Sequence, residues 1–306
     1  MENVILFGNG LNLLNGEKKW NDILQDLLKS KKDLITGISN TLQYEDIYLS
    51  KDVVPVIGEK YNETTEYWLK KDIADSFSHY RTNAIYKELV QMPIVHYMTT
   101  NYDHAIDDEF QKTDYIKSSE KSENSETIYS IRRRHCMIKS GSDKNKVIWK
   151  IHGDTNAPRS IMLGYDHYCG QIAKMNSYIK GTYENSVNKE TITKITERIK
   201  AGINVDASVS WIDFFFAANV YILGLKLDFD EIDLWWLLNK RIRLKREGKA
   251  PIFNKIHFYD CDISNNKREL MHDFGVEVHA YPKVSEDGYM HLYKQIIKDI
   301  QENIKG

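Results

Sequence analysis

The sequence predicts an α/β protein built on a Rossmann-like, mainly parallel sheet, and three observations lead there. Short apolar runs that read as buried strands alternate with longer stretches of helical periodicity. Three of those runs break off in glycine or compact polar residues: VILFGNG at 4–10, TTNYD at 99–103 and KIHGD at 150–154. In an open α/β sheet such positions fall at the carboxyl ends of strands, where ligands bind. The third observation is size, since 306 residues can bury one large core.

Residues 4–7 predict the first strand, and Gly8-Asn9-Gly10 forces a tight turn that small residues allow. Ile23, Leu24, Leu27 and Leu28 have helical spacing within 20–30. A second helical region covers about 63–90, carrying Trp68, Ile73, Phe77, Ile85 and Leu89; Pro93 ends it, and 94–98 is a strand leading into TTNYD. Residues 111–127, rich in Ser, Lys and Glu, read as a mobile loop. Residues 134–139, 141–145 and 147–151 form a hairpin-type pair ending at His152, followed by a helical stretch at about 165–201. A strand at 220–223 ends at Gly224. The helix expected at 228–245 opens on Asp228, Asp230, Glu231 and Asp233 and closes on Arg241, Arg243, Lys245 and Arg246, complementing the helix dipole. Those acids make its start a poor phosphate site. Strands at 255–259 and 276–280 and an amphipathic helix at 289–304 complete the chain.

The expected organisation is a single domain, 1–306. Its Rossmann-like core takes about 1–14, 94–110, 134–164 and 211–306, and helical insertions at about 15–93 and 165–210 form a smaller helical subdomain.

Composition excludes several classes. A hydrophobic content of 42% with 28% charged residues is that of a globular protein, and a net charge of −2 gives no general attraction to nucleic acid or acidic membranes. The tight basic run, Arg132-Arg133-Arg134, reads as a solvated face. Cys136, Cys169 and Cys261 lie far apart with no C-x-x-C pair, which argues for a reducing compartment and against a structural zinc site. The opening residues have no basic region before a long apolar core, so no signal peptide is expected, and the apolar stretch at 211–225 is too short and too interrupted to span a membrane. The expected location is cytoplasmic.

Candidate chemistry sits at the strand ends. Gly8-x-Gly10 lets backbone amides approach a pyrophosphate, or is an ordinary strand-to-helix turn; Leu13 stands where a full G-x-G-x-x-G has its third glycine. Asp260 is placed to bind ribose hydroxyls, or is a turn residue. Asn101 can hold a water or a hydroxyl, and Asp103, two residues on, can accept from a carboxamide; the competing reading makes both caps of the following helix. His152 is the histidine best placed as a general base, with Asp154 as its support or as a cap. His257 and His279, inside strands, read as packing residues, and Trp235-Trp236 and Phe214–Phe216 as core. No metal site is expected.

Together GNGLN (8–12), TTNYD, KIHGD, the glycine of ILGLKL (222–227) and the strand ending in FYD (258–260) resemble the sirtuin superfamily, specifically the zinc-less, sirtuin-like NADases of bacterial antiphage defence, related to abortive-infection proteins. On this resemblance Gly8, Asn9, Gly10 and Asn12 correspond to the glycine-rich NAD loop. TTNYD resembles the Thr-Gln-Asn-Ile-Asp motif with Thr100 in place of glutamine, and KIHGD resembles the catalytic His-Gly. Gly224 resembles the Gly-Thr-Ser turn, with Leu225 and Lys226 replacing the hydroxyls. The four zinc cysteines of sirtuin deacylases are absent.

The resemblance implies NAD as substrate and no zinc. It assigns catalysis to Asn101, His152 and Asp103, and binding to Gly8, Asn9, Gly10, Asn12, Thr100, Gly224 and Asp260. It further implies a latent effector, activated by a partner or sensor protein or by self-assembly; from the net charge, neither membrane nor nucleic acid is expected as a partner. The rival readings are an NAD-dependent protein deacylase or ADP-ribosyltransferase, and a nucleotide-binding sensor without chemistry; a dehydrogenase ranks last.

Overall fold

A computed structural model describes residues 1–28, 32–52, 64–118, 126, 128–139, 141, 145–184 and 191–305. Eight strands form one sheet: β1 (Asn3–Phe7), β2 (His96–Thr99), β3 (Tyr115–Lys117), β4 (Arg134–Lys139), β5 (Lys146–Lys150), β6 (Asn219–Leu223), β7 (Ile256–Cys261) and β8 (Val276–Tyr281). Their order is β3-β4-β5-β2-β1-β6-β7-β8. The six from β5 to β8 are parallel, and β4 and β3 extend the sheet by antiparallel pairing. The mainly parallel Rossmann-like sheet is therefore present.

The order explains the location of the cleft. From β1 the chain winds outward through β2 and β5, then returns to pair β6 on the other side of β1. Such a reversal opens a crevice at the carboxyl ends of the central strands. β1 is buried on both faces, as a central parallel strand must be. Its alternation assigns Val4 and Leu6 to one core, and Ile5 and Phe7 to the other.

Eleven α-helices are found among the described residues: α1 (Trp20–Leu27), α2 (Asn40–Leu49), α3 (Thr65–Phe77), α4 (Ala84–Val90), α5 (Ala105–Gln111), α6 (Tyr165–Lys180), α7 (Ile195–Ala201), α8 (Phe214–Ala217), α9 (Ile232–Arg246), α10 (Asn265–Asp273) and α11 (Tyr289–Lys305). One sheet face is covered by α6 to α10, the other by α4, α5 and α11. A third core joins α1, α2 and α3 to Tyr102, Ile161 and Leu163 near the strand ends. The small helical layer is thus made by α1–α3, whereas α4 and the second insertion pack on the sheet itself.

Several boundaries differ from the sequence expectation. The 63–90 region is two helices, because Asn83 breaks it and its side chain accepts the Ile85 and Tyr86 amides. The α2 helix, capped by Ser39, was not foreseen. Gly181, at φ +75°, ends α6, a backbone state that favours glycine. Within the expected 111–127 loop, 115–117 pair as β3, while 119–125 and 127 lie outside the described residues. Arg132 and Arg133 are buried, and Arg134 lies over the Trp149 ring at 5.0 Å, so the arginine run is structural rather than solvated. Phe214, Phe215 and Phe216 are core. Among the described residues no helix is long and apolar enough to cross a membrane.

Candidate active site

Five strand ends converge. Gly8-Asn9-Gly10 follows β1, Thr100 and Asn101 follow β2, His152 lies two residues past β5, Gly224 follows β6, and Asp260 is near the end of β7. Asn9, Gly10, Thr100, Asn101, His152, Gly224 and Asp260 all line one cleft of about 1440 Å³. That exceeds the ~300–1000 Å³ of drug-sized ligand sites, so an extended ligand fits.

The glycines serve the turn rather than a phosphate cradle. The Gly8 amide donates to the Leu223 carbonyl (3.2 Å) and the Gly10 amide to the Gly224 carbonyl (2.8 Å). A Cβ on Gly10 would stand 2.5 Å from the Tyr293 hydroxyl and 2.8 Å from the Gly224 oxygen. The two loops therefore approach so closely that only glycine fits, and both amides expected to meet a pyrophosphate are already engaged. Gly8 does not line the cleft.

Asn101 is buried, held by its amide bond to Thr99 Oγ1 (3.0 Å). Its Nδ2 faces the Tyr86 hydroxyl at 3.5 Å, while Oδ1 is buried with no hydrogen-bond partner among the described residues. A buried, unpaired acceptor on a cleft wall invites a water or a ligand hydroxyl.

Asp103 takes the capping role, the alternative to contacting a carboxamide. Its Oδ1 accepts the Ala105 amide (2.9 Å), anchoring the start of α5, and its Oδ2 accepts from Asn12 Nδ2 (2.7 Å). Asn12 is fully buried, takes a hydrogen bond from Tyr86 (2.6 Å), and donates to Asn9 (2.9 Å). Neither Asp103 nor Asn12 lines the cleft. They tie the β1 turn to the β2 turn, which fixes Asn9 and Asn101 relative to each other.

His152 is buried between acids. Its Nε2 meets Asp233 Oδ2 at 3.0 Å and its Nδ1 faces Glu231 Oε2 at 3.6 Å, with the Tyr168 ring edge-on at 5.7 Å. Burial alone would lower the imidazole's pKa, but Asp233 and Glu231 outweigh it and raise it to about 9. Burial pushes the Glu231 carboxyl up to about 7 against the pull of His152. At neutral pH His152 is therefore an imidazolium in this arrangement, and not the near-neutral free base expected. Glu231 and Asp233, placed by the start of α9, are site residues that the sequence reading assigned to the helix dipole. Both belong to the acid run at 228–233, which was the available signal.

The raised His152 value has a sign that can be tested. A folded-state pKa above the ordinary 6.5 contributes stability that is complete below pH 6.5 and lost as pH rises through about 9. The magnitude is about 3 kcal/mol. Asp233→Asn is expected to flatten that pH dependence; chemical-denaturation curves from pH 6 to 10 check it, and an unchanged slope refutes the pairing.

Asp154 does not support His152. It accepts from His104 Nε2 (3.0 Å) and His135 Nε2 (2.9 Å), and His135 Nδ1 reaches Asp107 at 2.5 Å. The two imidazoles stack at 5.4 Å, and Lys150 Nζ lies 3.9 Å from Asp107 while donating to the Asp103 carbonyl. Despite the cost of burial, the contacts with His135 and His104 and the nearby Lys150 ammonium hold Asp107 and Asp154 well below the usual carboxylate range. The cluster is a buried brace beneath the β2 and β5 turns.

Residues 95–195 match the model of the SIR2-like domain. Over 192 residues, 61% of this chain, the sequence is 25% identical to the NAD(+) hydrolase ThsA of Bacillus cereus (strain MSX-D12). The match spans 36% of that protein, so this chain corresponds to little more than a third of its length. The matched segment holds Thr100, Asn101 and His152, three residues of the cleft wall. The segment that carries the β2 and β5 strand ends is thus similar to a SIR2-like domain.

Proposed function

We propose that this protein hydrolyses the nicotinamide–ribose bond of NAD, giving nicotinamide and ADP-ribose. The observation that carries the proposal is one cleft at the carboxyl ends of a parallel sheet, lined by His152, by Asn101 with its unpaired buried Oδ1, and by Asp260. In the reaction the C1′–N bond breaks, nicotinamide leaves with the bonding electrons, water oxygen bonds to C1′, and one water proton is lost. The transition state is oxocarbenium-like, so positioned dipoles and a proton acceptor suffice. Asn101 Oδ1 accepts from the attacking water or from a ribose hydroxyl. Asp260 faces the other ribose. The carboxylates at 228–231 suit the cationic nicotinamide ring, and Lys226 suits the pyrophosphate.

His152 accepts a proton only when its hold by Asp233 and Glu231 loosens. We therefore read the present arrangement as a resting one, in which repositioning the start of α9 frees the base. That supports a latent effector of abortive antiphage defence, acting on the cytoplasmic NAD pool when a sensor or partner protein binds. Chromatography of NAD breakdown products, with and without candidate partners, tests both parts. Equimolar nicotinamide and ADP-ribose that rise with a partner support the proposal. ADP-ribose binding without nicotinamide release under any activator rejects it, and full activity of a lone monomer rejects latency.

A further inference from the structure

We propose that His257, Glu277 and His279 form a binding site for a divalent transition-metal ion of the zinc class, on the β7–β8 ribbon. The three residues stand on one face of two adjacent strands, His257 opposite Glu277 and His279 opposite Tyr259. His257 Nδ1 lies 3.1 Å from His279 Nε2 and 3.4 Å from Glu277 Oε2, and one ligand atom from each residue falls within 4.8 Å of the others. Ligands bonded to one tetrahedral zinc ion at about 2.0–2.1 Å stand roughly 3.3 Å from one another. These two separations bracket that value, and the third pair also lies within 4.8 Å.

The surroundings suit a metal. Tyr221 stacks on His257 at 4.8 Å and Tyr259 on His279 at 4.3 Å, which restrains both imidazoles. Lys255 bonds the other Glu277 oxygen, Oε1, at 3.0 Å and orients the carboxylate while leaving Oε2 toward His257. His257 is buried, His279 half-buried and Glu277 exposed, giving an entry path and room for water at a fourth position. The expectation of no metal rested on missing zinc cysteines, and this donor set uses none. His257 is the second residue of β7, whereas Asp260, near its far end, lines the cleft, so the site stands apart from the proposed NAD chemistry.

Titration of the whole protein with Zn²⁺ by calorimetry, and with Co²⁺ by visible absorption, tests the site. One equivalent is expected to bind, with affinity at least tenfold weaker in Glu277→Gln and lost in His279→Ala. Glu277 is exposed, so that variant folds even if the histidine variant does not. Absence of binding up to millimolar Zn²⁺, or binding unchanged in Glu277→Gln, overturns the site and leaves a hydrogen-bonded histidine pair.

Discussion

His152→Ala is expected to slow nicotinamide release from NAD by roughly a hundredfold to ten-thousandfold in the activated protein, the range supplied by a positioned proton acceptor. Among the described residues the imidazole is the basic side chain that the end of β5 contributes to the cleft wall, and it shares that wall with Asn101. Truncation also leaves Asp233 and Glu231 facing each other without a cation, so loss of activity by itself does not separate chemistry from packing. Two readouts separate them. ADP-ribose affinity should be retained within a few-fold, because no part of the ADP-ribose moiety depends on a proton at His152. The rate of single-turnover release should fall while that affinity holds. Unchanged release removes His152 from the reaction; loss of ADP-ribose binding in parallel makes it a structural residue only.

The strand ends were legible because a buried parallel strand that stops in small polar residues has few places to go. The β1 run and its glycine turn, TTNYD and KIHGD all occupy the sheet edge that this logic assigns them. Asn101 and His152 followed from the same argument. Asp103 was legible only as one of two readings, because a carboxylate just before a helix can cap it as readily as face a ligand, and here it takes the Ala105 amide. Glu231 and Asp233 were hidden for a different reason. Acids at a helix start already have a local explanation in the dipole, and only the tertiary fold brings the start of α9 to a histidine some eighty residues away. The arginine run misled in the same way: Arg133 is buried and donates to the Glu126 carbonyl, a contact that adjacent residues cannot announce. Local chemistry is readable from spacing, whereas charge pairing across the fold depends on topology that a single sequence leaves open.

Asp107→Asn is expected to cost about 3–5 kcal/mol of folding stability, the penalty for removing one partner of a buried ion pair. Asp107 is fully buried, bonded to His135 and within 4 Å of Lys117, Lys150 and His104 nitrogens. An amide of the same shape keeps the volume and forfeits the charge, so the imidazole and ammonium groups are left desolvated around a neutral centre. For a chain of this size the loss corresponds to a melting-temperature drop of roughly 5–15 °C. Asp108→Asn, one residue on in the same helix and only half-buried, changes the same net charge and should shift melting by a degree or so at most. Acid should act on the same cluster. Carboxylates held below their ordinary range contribute stability that is lost as pH falls through that lowered range, so the wild-type protein should lose its advantage over Asp107→Asn under strongly acidic conditions. Because the cluster braces the turns that carry Asn101 and His152, its weakening should also loosen the cleft wall, read as faster amide exchange at 100–104 and 151–154 before global unfolding. Equal melting of the Asp107 and Asp108 variants would show that the buried cations are satisfied without Asp107, and the brace would then have to be assigned to Asp154 alone.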